Sequence, residues 1–315
     1  ENDIRQSIAQ TYIQILYAAE SVKVNENTLQ VSEAQRDRGK QLLDAGSIAR
    51  SDYAQLEAQV STDRYQLVTA QATLQDYKLQ LKQLLELDGE QEMQIYLPVL
   101  GDENVLSPLP TKADVFQAAV ALRPEIEASK LSVEASELGI GIARSGYLPS
   151  VSLTAGIGTN HTSGSDFTFG EQVKNGWNNS IGLSISVPIF NNRQTKSAVE
   201  KAKLQYQTSQ LTLLDEQKTL YKTIEGLWLD ANSAQQRYAA AVEKLRSTQT
   251  SYELISEQFN AGMKNTVELL TEKNNLLQAQ QELLQSKYMA ILNTQLLKFY
   301  QGDELTGLTA ENKNI

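Results

Sequence analysis

The sequence predicts a mainly α-helical protein with a small β-hairpin element, built from long antiparallel coiled-coil helical hairpins that occur twice. Three observations predict this fold class. All six prolines lie between Pro98 and Pro188, which leaves two long flanks free of the strongest helix breaker. Apolar residues recur at every seventh position in both flanks, as in coiled coils. Between the flanks, two short stretches alternate apolar and small polar residues, which is typical of β-strands.

The first helical hairpin is predicted over residues 1–88, with its tip near 44–52. The tip is a short turn that contains Gly46. The returning helix carries one apolar residue per heptad: Tyr53, Val60, Leu67, Leu74 and Leu81. Two helices joined by a short turn pack antiparallel, so this pattern indicates a coiled-coil hairpin.

The centre of the chain has a different composition. Residues 89–116 contain proline, glycine and acidic residues and are predicted to form a connecting segment. Residues 117–146 are predicted to form helix leading to the strands, with a break at Pro124, which suits the first turn of a new helix.

Residues 147–190 are predicted to form a transmembrane-type β-hairpin. "YLPSVSLTAGIG" (147–158) and "WNNSIGLSISVPIF" (177–190) both alternate, and a loop rich in Gly, Ser and Asn joins them. About ten alternating residues flanked by an aromatic residue are typical of a strand that faces lipid. A soluble ribbon packed on a helix would alternate in the same way. Because an isolated hairpin is barely stable in water, its context favours the membrane interpretation.

The second helical hairpin is predicted over residues 191–302, with its tip near 260–268, followed by a C-terminal tail over 303–315. Its outgoing helix, from about 191 to 260, would be roughly 100 Å long. That helix has an apolar seam at alternating steps of three and four: Ile224, Leu227, Ala231, Ala234, Tyr238, Ala241, Leu245, Thr248, Tyr252, Ile255 and Phe259. The returning helix repeats the seam of the first hairpin 216 positions later: Leu269, Leu276, Leu283, Ala290 and Leu297.

The tips share this register, with Gly262 216 positions after Gly46 and Glu268 216 positions after Asp52. We therefore predict that one hairpin has been duplicated. The later copy is preceded by about a hundred residues with helix and strands. The duplication predicts that the natural polypeptide has an N-terminal extension of about that length, with a second β-hairpin.

Composition excludes several function classes. A net charge of −10 opposes binding to nucleic acid, and the lack of cysteine rules out disulfides, thiolate metal sites and a cysteine nucleophile. The single histidine, His161, lies in the strand loop without a cluster of other ligands. No phosphate-binding loop, nucleophile elbow or Ser-His-Asp arrangement is present. The sequence therefore predicts neither an enzyme nor a protein with a metal or cofactor.

Two segments of the centre resemble the TolC-like outer-membrane efflux proteins, also called outer membrane factors. They are "ALRPEIEASKLSVEASELGIGIARSGYLPSVSLTAGIG" (121–158) and "WNNSIGLSISVPIFNNRQTKSAVEKAK" (177–203), and the tips "AGSIARSDY" and "AGMKNTVEL" add to them. The resemblance extends to about residue 302. The family's first helix and first strand pair have no counterpart here, which implies an N-terminally truncated chain.

This resemblance implies a homotrimer in which an α-helical barrel, the periplasmic tunnel, is topped by a trimeric transmembrane β-barrel in the lipid of a Gram-negative outer membrane. Such a protein is the passive exit duct of a tripartite efflux pump or a type I secretion system, for drugs or other exported solutes. Its partners would be a periplasmic adaptor (membrane fusion protein) and an inner-membrane transporter. The alternative is a soluble periplasmic coiled-coil adaptor or scaffold, although an adaptor would carry a compact β-rich domain beside one hairpin.

The resemblance also implies that the tips form the periplasmic gate and contact the adaptor. The positions that match are Gly46, Asp52, Phe259, Gly262, Lys264 and Glu268. Phe259 replaces a hydroxyl-bearing ring of the best-known member, and Thr271 stands where a further acid could be expected.

Two pairs of candidate residues, one at the tips and one beside the strands, each have a second interpretation. Asp52 and Glu268 would attract cations if they ringed a narrow opening. They also suit the first turn of a returning helix, where negative charge is stabilised by about 0.3–1 kcal/mol. Tyr147 and Trp177 are candidate membrane-interface aromatics, and packing against helix ends is the alternative.

Overall fold

A computed structural model describes residues 2–87, 95, 96, 98, 101 and 105–303. The predicted fold class, mainly α with a small β-hairpin, is confirmed. The elements in chain order are α1 (Asn2–Asp44), α2 (Arg50–Leu84), α3 (Lys112–Leu122), α4 (Pro124–Ser145), β1 (Ser150–Gly158), α5 (Phe169–Asn175), β2 (Asn178–Ser186), α6 (Gln194–Asn260) and α7 (Thr266–Gln301). Within the described ranges, no helix has the length and apolar character needed to cross a membrane.

Two predicted segments lie wholly or partly outside this description. Of the connecting segment predicted over 89–116, residues 89–94, 97, 99, 100 and 102–104 are not among the described residues. The same holds for the tail predicted over 303–315, apart from Asp303. The chain divides into two compact units: residues 1–122 with 220–315, and residues 123–219.

The tips of both helical hairpins belong to the first unit and share one backbone conformation. Gly46 and Gly262 have φ of 75° and 74°, in the left-handed region that favours glycine. The amide of Gly46 donates to the carbonyl of Leu43 at 2.9 Å, and the amide of Gly262 donates to that of Phe259 at 2.9 Å. These matching geometries support the duplication that the sequence predicts.

The core of the first unit is a narrow column between helices. One cluster joins α1, α6 and α7 around Ile13, Leu16, Ala234, Tyr238, Leu284, Tyr288, Ala290 and Ile291, together with Val105. A second joins α3, α6 and α7 around Val115, Ala119, Ile224, Ala231 and Leu297. No member of the predicted α6 seam between 224 and 259 is exposed, so the heptad pattern marks the buried stripe.

Polar side chains of α6 fix the segment that precedes α3. The amide nitrogen Nε2 of Gln235 donates to the carbonyls of Val105 and Ser107 at 2.9 and 2.8 Å. The indole Nε1 of Trp228 donates to the carbonyl of Pro110 at 3.0 Å. These bonds satisfy backbone carbonyls that have no partner in regular secondary structure.

The second unit combines α4, the N-terminal part of α6 and the strand pair. α4 meets α6 through small polar side chains, with the hydroxyls of Ser136 and Ser209 2.8 Å apart. The strands β1 and β2 pair antiparallel from Ser150 opposite Ser186 to Gly158 opposite Asn178. The predicted β-hairpin is therefore confirmed.

The loop between the strands differs from the sequence expectation because it contains the short helix α5. Thr168 is the N-cap residue of this helix, and its amide donates to the Glu171 carboxylate at 3.0 Å. Glu171 also accepts from the Thr168 hydroxyl at 2.8 Å. A helix of one or two turns is too short to show a helical periodicity, and the segment is rich in Gly, Ser and Asn. The sequence pattern therefore did not predict α5.

Helix packing at Gly39 gives a stability prediction. A Cβ at this position of α1 would lie 2.3 Å from Cδ1 of Leu56, which is only 1% exposed and has little room to move. We expect Gly39→Ala to lower the free energy of unfolding by about 1 kcal/mol or more, since overpacking outweighs the gain in helix propensity. Urea unfolding followed by circular dichroism measures the change.

Gly226→Ala is the matched control, because a Cβ there meets no heavy atom within 4 Å. This substitution should raise the free energy of unfolding by about 0.5–1 kcal/mol. Equal effects of the two substitutions would contradict close packing of α1 on α2 at Gly39.

Candidate functional site

The tip between α1 and α2 places Asp52 at the third position of α2. Its Oδ2 accepts a hydrogen bond from the amide of Ala49 at 3.3 Å. Because the methyl side chain of Ala49 accepts no hydrogen bond, only one half of a capping box exists here. The Asp52 carboxylate therefore caps the N-terminus of α2 from within the helix.

The tip between α6 and α7 is capped more completely. Asn265 Oδ1 accepts from the amide of Glu268 at 2.9 Å, and Glu268 Oε2 accepts from the amide of Asn265 at 3.3 Å. Lys264 Nζ donates to Glu268 Oε1 at 2.5 Å. The bond from Lys264, followed by that from the Asn265 amide, lowers the pKa of Glu268 below its usual value. The residue of the first tip that corresponds to Lys264, 216 positions earlier, is Ile48.

Phe259 lies at the side of this tip rather than at its end. Its ring is 4% exposed and borders a groove between α1 and α6 that also touches Arg38 and Ser256. Nearby, Gln35 Nε2 donates to the Tyr252 hydroxyl at 2.7 Å and joins the two hairpins. The structure thus brings Lys264 and Glu268 together and gives Phe259 a packing role, while both tip glycines are exposed.

Sequence reasoning missed a buried triad formed by Ser32, Asp63 and Lys273. Lys273 Nζ donates to the Asp63 carboxylate and to the Ser32 hydroxyl, and that hydroxyl donates to the same carboxylate. Burial lowers the pKa of Lys273, and its hydrogen bond to Asp63 opposes that effect. No local signal pairs residues that lie 210 positions apart in the sequence.

The strand pair presents one apolar face. Val151, Leu153 and Ala155 lie opposite Ile185, Leu183 and Ile181, while Ser, Thr, Gly and Asn fill the other face. The apolar side chains are exposed, and Ile181 reaches 83%. Tyr147 precedes β1 and Trp177 precedes β2, so the register places these exposed rings at opposite ends of the hairpin.

The remaining candidate, His161, makes an edge-on contact with Phe169, with ring centroids 5.3 Å apart. Across the part of the chain that the structure describes, no three His, Cys, Asp or Glu side chains are grouped to hold a metal ion.

Comparison with known proteins defines the class. Residues 115–302 match the profile of the outer membrane efflux protein family, and the chain belongs to that family. It is 26% identical over 298 residues to outer membrane protein TolC of Escherichia coli K12, covering 90% of this chain and 58% of the relative. It is 24% identical over 294 residues to outer membrane efflux protein BepC of Brucella suis, covering 93% and 61%. The chain spans about three fifths of the length of these relatives.

Solved structures show the same fold. The chain resembles CusC with a TM-score of 0.80 and 21% identity, covering 95% of this chain and 68% of that one. It resembles the outer-membrane channel OprN with a TM-score of 0.79 and 18% identity, covering 98% and 66%. The predicted TolC-like fold is therefore confirmed for the part of the family that this chain spans.

The unequal caps give a testable difference between the tips. We expect Asn265→Ala to destabilise the first turn of α7 by about 1 kcal/mol, because the amide of Glu268 loses its acceptor. Ala49→Asn should stabilise the first turn of α2 by a similar amount, since it completes the capping box. Amide hydrogen-exchange protection at residues 50–53 and 266–269 measures both effects. A loss of protection in α2 on Ala49→Asn would contradict the assignment.

The lowered pKa of Glu268 predicts a pH dependence at the second tip. Its folded-state pKa lies below the ordinary value of 4.5, so the ionised form stabilises the folded tip at neutral pH. This contribution disappears as pH falls from about 4.5 through the lower folded-state pKa. We expect protection at residues 266–269 to decline over that window in the wild type and to be less pH-dependent in Glu268→Gln. A decline of equal size in both proteins would exclude Glu268 as its cause.

Proposed function

We propose that this protein is the outer-membrane channel component of a tripartite efflux pump or a type I secretion system, a passive exit duct for drugs or other exported solutes. The observation that carries the proposal is the exposed apolar face of the strand pair in a chain of the outer membrane efflux protein family. Relatives include a protein named for alkaline protease secretion in Pseudomonas aeruginosa and one named for toxin and drug export in Aggregatibacter actinomycetemcomitans. These names describe export rather than catalysis.

The strand pair supports insertion into lipid. Burying a Val, Leu or Ile side chain is worth about 1.5–3 kcal/mol, and the described residues leave Leu153, Ile181 and Leu183 exposed together on one face. Among those residues, each strand also has a hydrogen-bonded partner on only one edge. In hydrocarbon every backbone polar group needs a partner, so further strands must close the sheet. Sister copies of the chain are the proposed source of strands in a trimeric β-barrel.

The helices of the second unit support the same assembly. Apolar residues at seven-residue spacing remain exposed on α4 and α6, namely Leu131 and Leu138 on α4 with Leu204 and Leu211 on α6. Such stripes pack against helices of neighbouring chains in coiled-coil assemblies. A trimer that covers them would form the wall of the periplasmic tunnel.

The tips supply the proposed gate and the contact with the periplasmic adaptor. Each subunit of a trimer would place Asp52 and Glu268 near the entrance, where carboxylates in a narrow opening attract cations. Lys264 compensates part of the Glu268 charge, whereas Ile48 occupies the corresponding position near Asp52. We therefore expect Asp52 to contribute more to selectivity than Glu268. Tyr147 and Trp177 are the proposed anchors at the two membrane interfaces.

The soluble adaptor or scaffold is the less favoured alternative. A freely soluble protein would have to cover the apolar face, and nothing within the described ranges does so. The proposed location is the Gram-negative outer membrane with a periplasmic extension, and the proposed partners include an inner-membrane transporter.

Isolation of the native protein and conductance measurements test the proposal. We expect the protein to fractionate with outer membranes, to require detergent for extraction and to run as a heat-sensitive trimer on denaturing gels. In planar lipid bilayers it should conduct ions with a preference for cations. Asp52→Asn should reduce that preference several-fold, and Glu268→Gln should reduce it less.

Glu200→Gln is the matched control, because Glu200 is an exposed carboxylate on α6 of the second unit, paired with Lys203 at 2.8 Å. It should leave the preference unchanged. A detergent-independent monomer without channel activity would overturn the proposal.

A further inference from the structure

A pocket of about 270 Å³ lies where the strand pair joins the helices of the second unit. Its walls are the turn that precedes β1 and the segment that links β2 to α6. Tyr147, Ile189 and Phe190 give it apolar surface, and Arg193 and Lys196 give it two positive charges. Among the residues that the structure describes, none with an acidic side chain lines it. The pocket therefore combines an apolar wall with a cationic one.

Charge is distributed unevenly between the two ends of the β-hairpin. In residues 138–199 the only acidic residues are Asp166 and Glu171, which lie in the loop at the far end of the strands. The next acid along α6, Glu200, pairs with Lys203 at 2.8 Å. The two cations of the pocket are thus a local exception in a chain whose net charge is −10. A pocket of this charge attracts an anion.

The apolar wall of the pocket extends the apolar series of β2. Ile185, Val187 and Ile189 follow one another at alternate positions, past the end of the strand at Ser186. Ile189 is 96% exposed and Phe190 is 84% exposed, and no other large apolar side chain of the described residues is more exposed than Ile189. Apolar surface of this extent marks a contact with lipid or with another molecule.

The backbone beside the pocket is held in an unfavourable conformation. Asn192 and Arg193 have φ of 48° and 62°, in the left-handed region that residues other than glycine seldom adopt. The Asn191 side chain donates to the Thr195 hydroxyl, which donates to the carbonyl of Gly146 at 3.3 Å. These bonds tie the start of α6 to the end of α4. Backbone of this kind persists where the surrounding structure fixes it, as it does around many ligand sites.

The position of the pocket fits one surface of a membrane. Nine residues of each strand are paired, from Ser150 opposite Ser186 to Gly158 opposite Asn178. At about 3.4 Å per residue they cover roughly 30 Å, which strand tilt reduces to near the about 25 Å of the apolar band of an outer-membrane barrel. The pocket lies just before the first of these pairs, on the side of the long helices. In the proposed channel this is the headgroup level of the periplasmic leaflet.

A phospholipid matches each of these features. Its phosphodiester is an anion that accepts hydrogen bonds from guanidinium and ammonium groups. Its acyl chains cover exposed apolar side chains, whereas a soluble anion would leave the apolar wall in water. Tyr147 has an exposed ring, and tyrosine is enriched at this level of membranes. A zwitterionic headgroup brings a cation of its own to the two cations of the pocket, so an anionic headgroup is favoured.

We propose that this pocket binds an anionic phospholipid of the periplasmic leaflet. The phosphate lies between Arg193 and Lys196, and the acyl chains lie along Ile189 and Phe190. The proposal rests on the membrane-inserted trimer proposed above and assigns one such lipid to each subunit. It gives the pocket cations a function that is separate from the export of solutes.

Native mass spectrometry of the protein isolated from its outer membrane tests the lipid preference. The delipidated trimer in detergent is given phosphatidylglycerol or phosphatidylethanolamine with identical acyl chains. We expect three bound phosphatidylglycerol molecules per trimer and at least a tenfold preference for that lipid. The preference should fall several-fold between about 0.05 and about 0.5 M salt, because salt screens the attraction. A wild-type trimer without the preference would overturn the proposal, whatever the variants do.

Charge-removing variants locate the site. Arg193→Gln with Lys196→Gln should abolish the preference and leave the binding of phosphatidylethanolamine unchanged. Lys196→Gln alone should lower the preference about fivefold, and it serves if the double variant does not assemble. Lys201→Gln with Lys218→Gln is the matched control, because it removes the same charge from exposed positions of α6 outside the pocket. An equal loss in the control would overturn the proposal. Displacement of the lipid by inorganic phosphate at the same concentration would also overturn it, since the site would then bind soluble anions.

Photocross-linking in cells identifies the occupant. A benzophenone amino acid replaces Phe190 or, as the matched control, Phe169, an exposed ring in the loop at the far end of the strands. We expect phospholipid adducts at position 190 and none at position 169. Adducts of lipopolysaccharide or of a second copy of this chain at position 190, in place of phospholipid, would overturn the proposal. If the protein is absent from outer membranes or runs only as a monomer, the proposed function itself fails, and fractionation shows this before any lipid is measured.

Discussion

The exposed apolar face of the β1–β2 pair is the constraint on which the interpretation of this molecule depends. Branched side chains line one face of two strands, and small polar side chains line the other. A two-stranded ribbon of this kind has too little buried surface to be stable in water. In the proposed channel, lipid on one face and further strands at both edges would satisfy the apolar side chains and the backbone together. The proposed membrane insertion and the proposed assembly would therefore answer the same physical requirement.

The helices of the first unit pack through narrow apolar seams and have no wide hydrophobic core among the described residues. α6 extends over 67 residues, yet its buried stripe is one seam in which alanine recurs at 231, 234 and 241. Small seam residues allow neighbouring helices to approach closely along a great length. Hydrogen bonds from the side chains of Trp228 and Gln235 then hold the segment that precedes α3 against the same helix. These contacts join the helices of the first unit through seams, and the proposed trimer would cover the apolar stripes that remain exposed on α4 and α6 of the second unit.

Sequence periodicity predicted most of this fold because each pattern has one geometric cause. Heptads marked the buried stripe of α6, and alternation marked both strands. Gly46 and Gly262 marked turns that need left-handed backbone. Periodicity cannot predict contacts between residues that are far apart in the sequence. Nothing in the sequence around Lys273 or around Asp63 indicates that the two side chains form an ion pair. By contrast, Lys264 and Glu268 are only four positions apart at the start of α7, so their ion pair was within reach of the sequence.

The two hairpin tips differ chemically at a few positions of the predicted repeat. The backbone of the two tips is alike, but Ala49 corresponds to Asn265, Ile48 to Lys264, and Glu57 to Lys273. These changes make one tip fully capped and charge-compensated, and they bury an ion pair on only one side of the first hairpin.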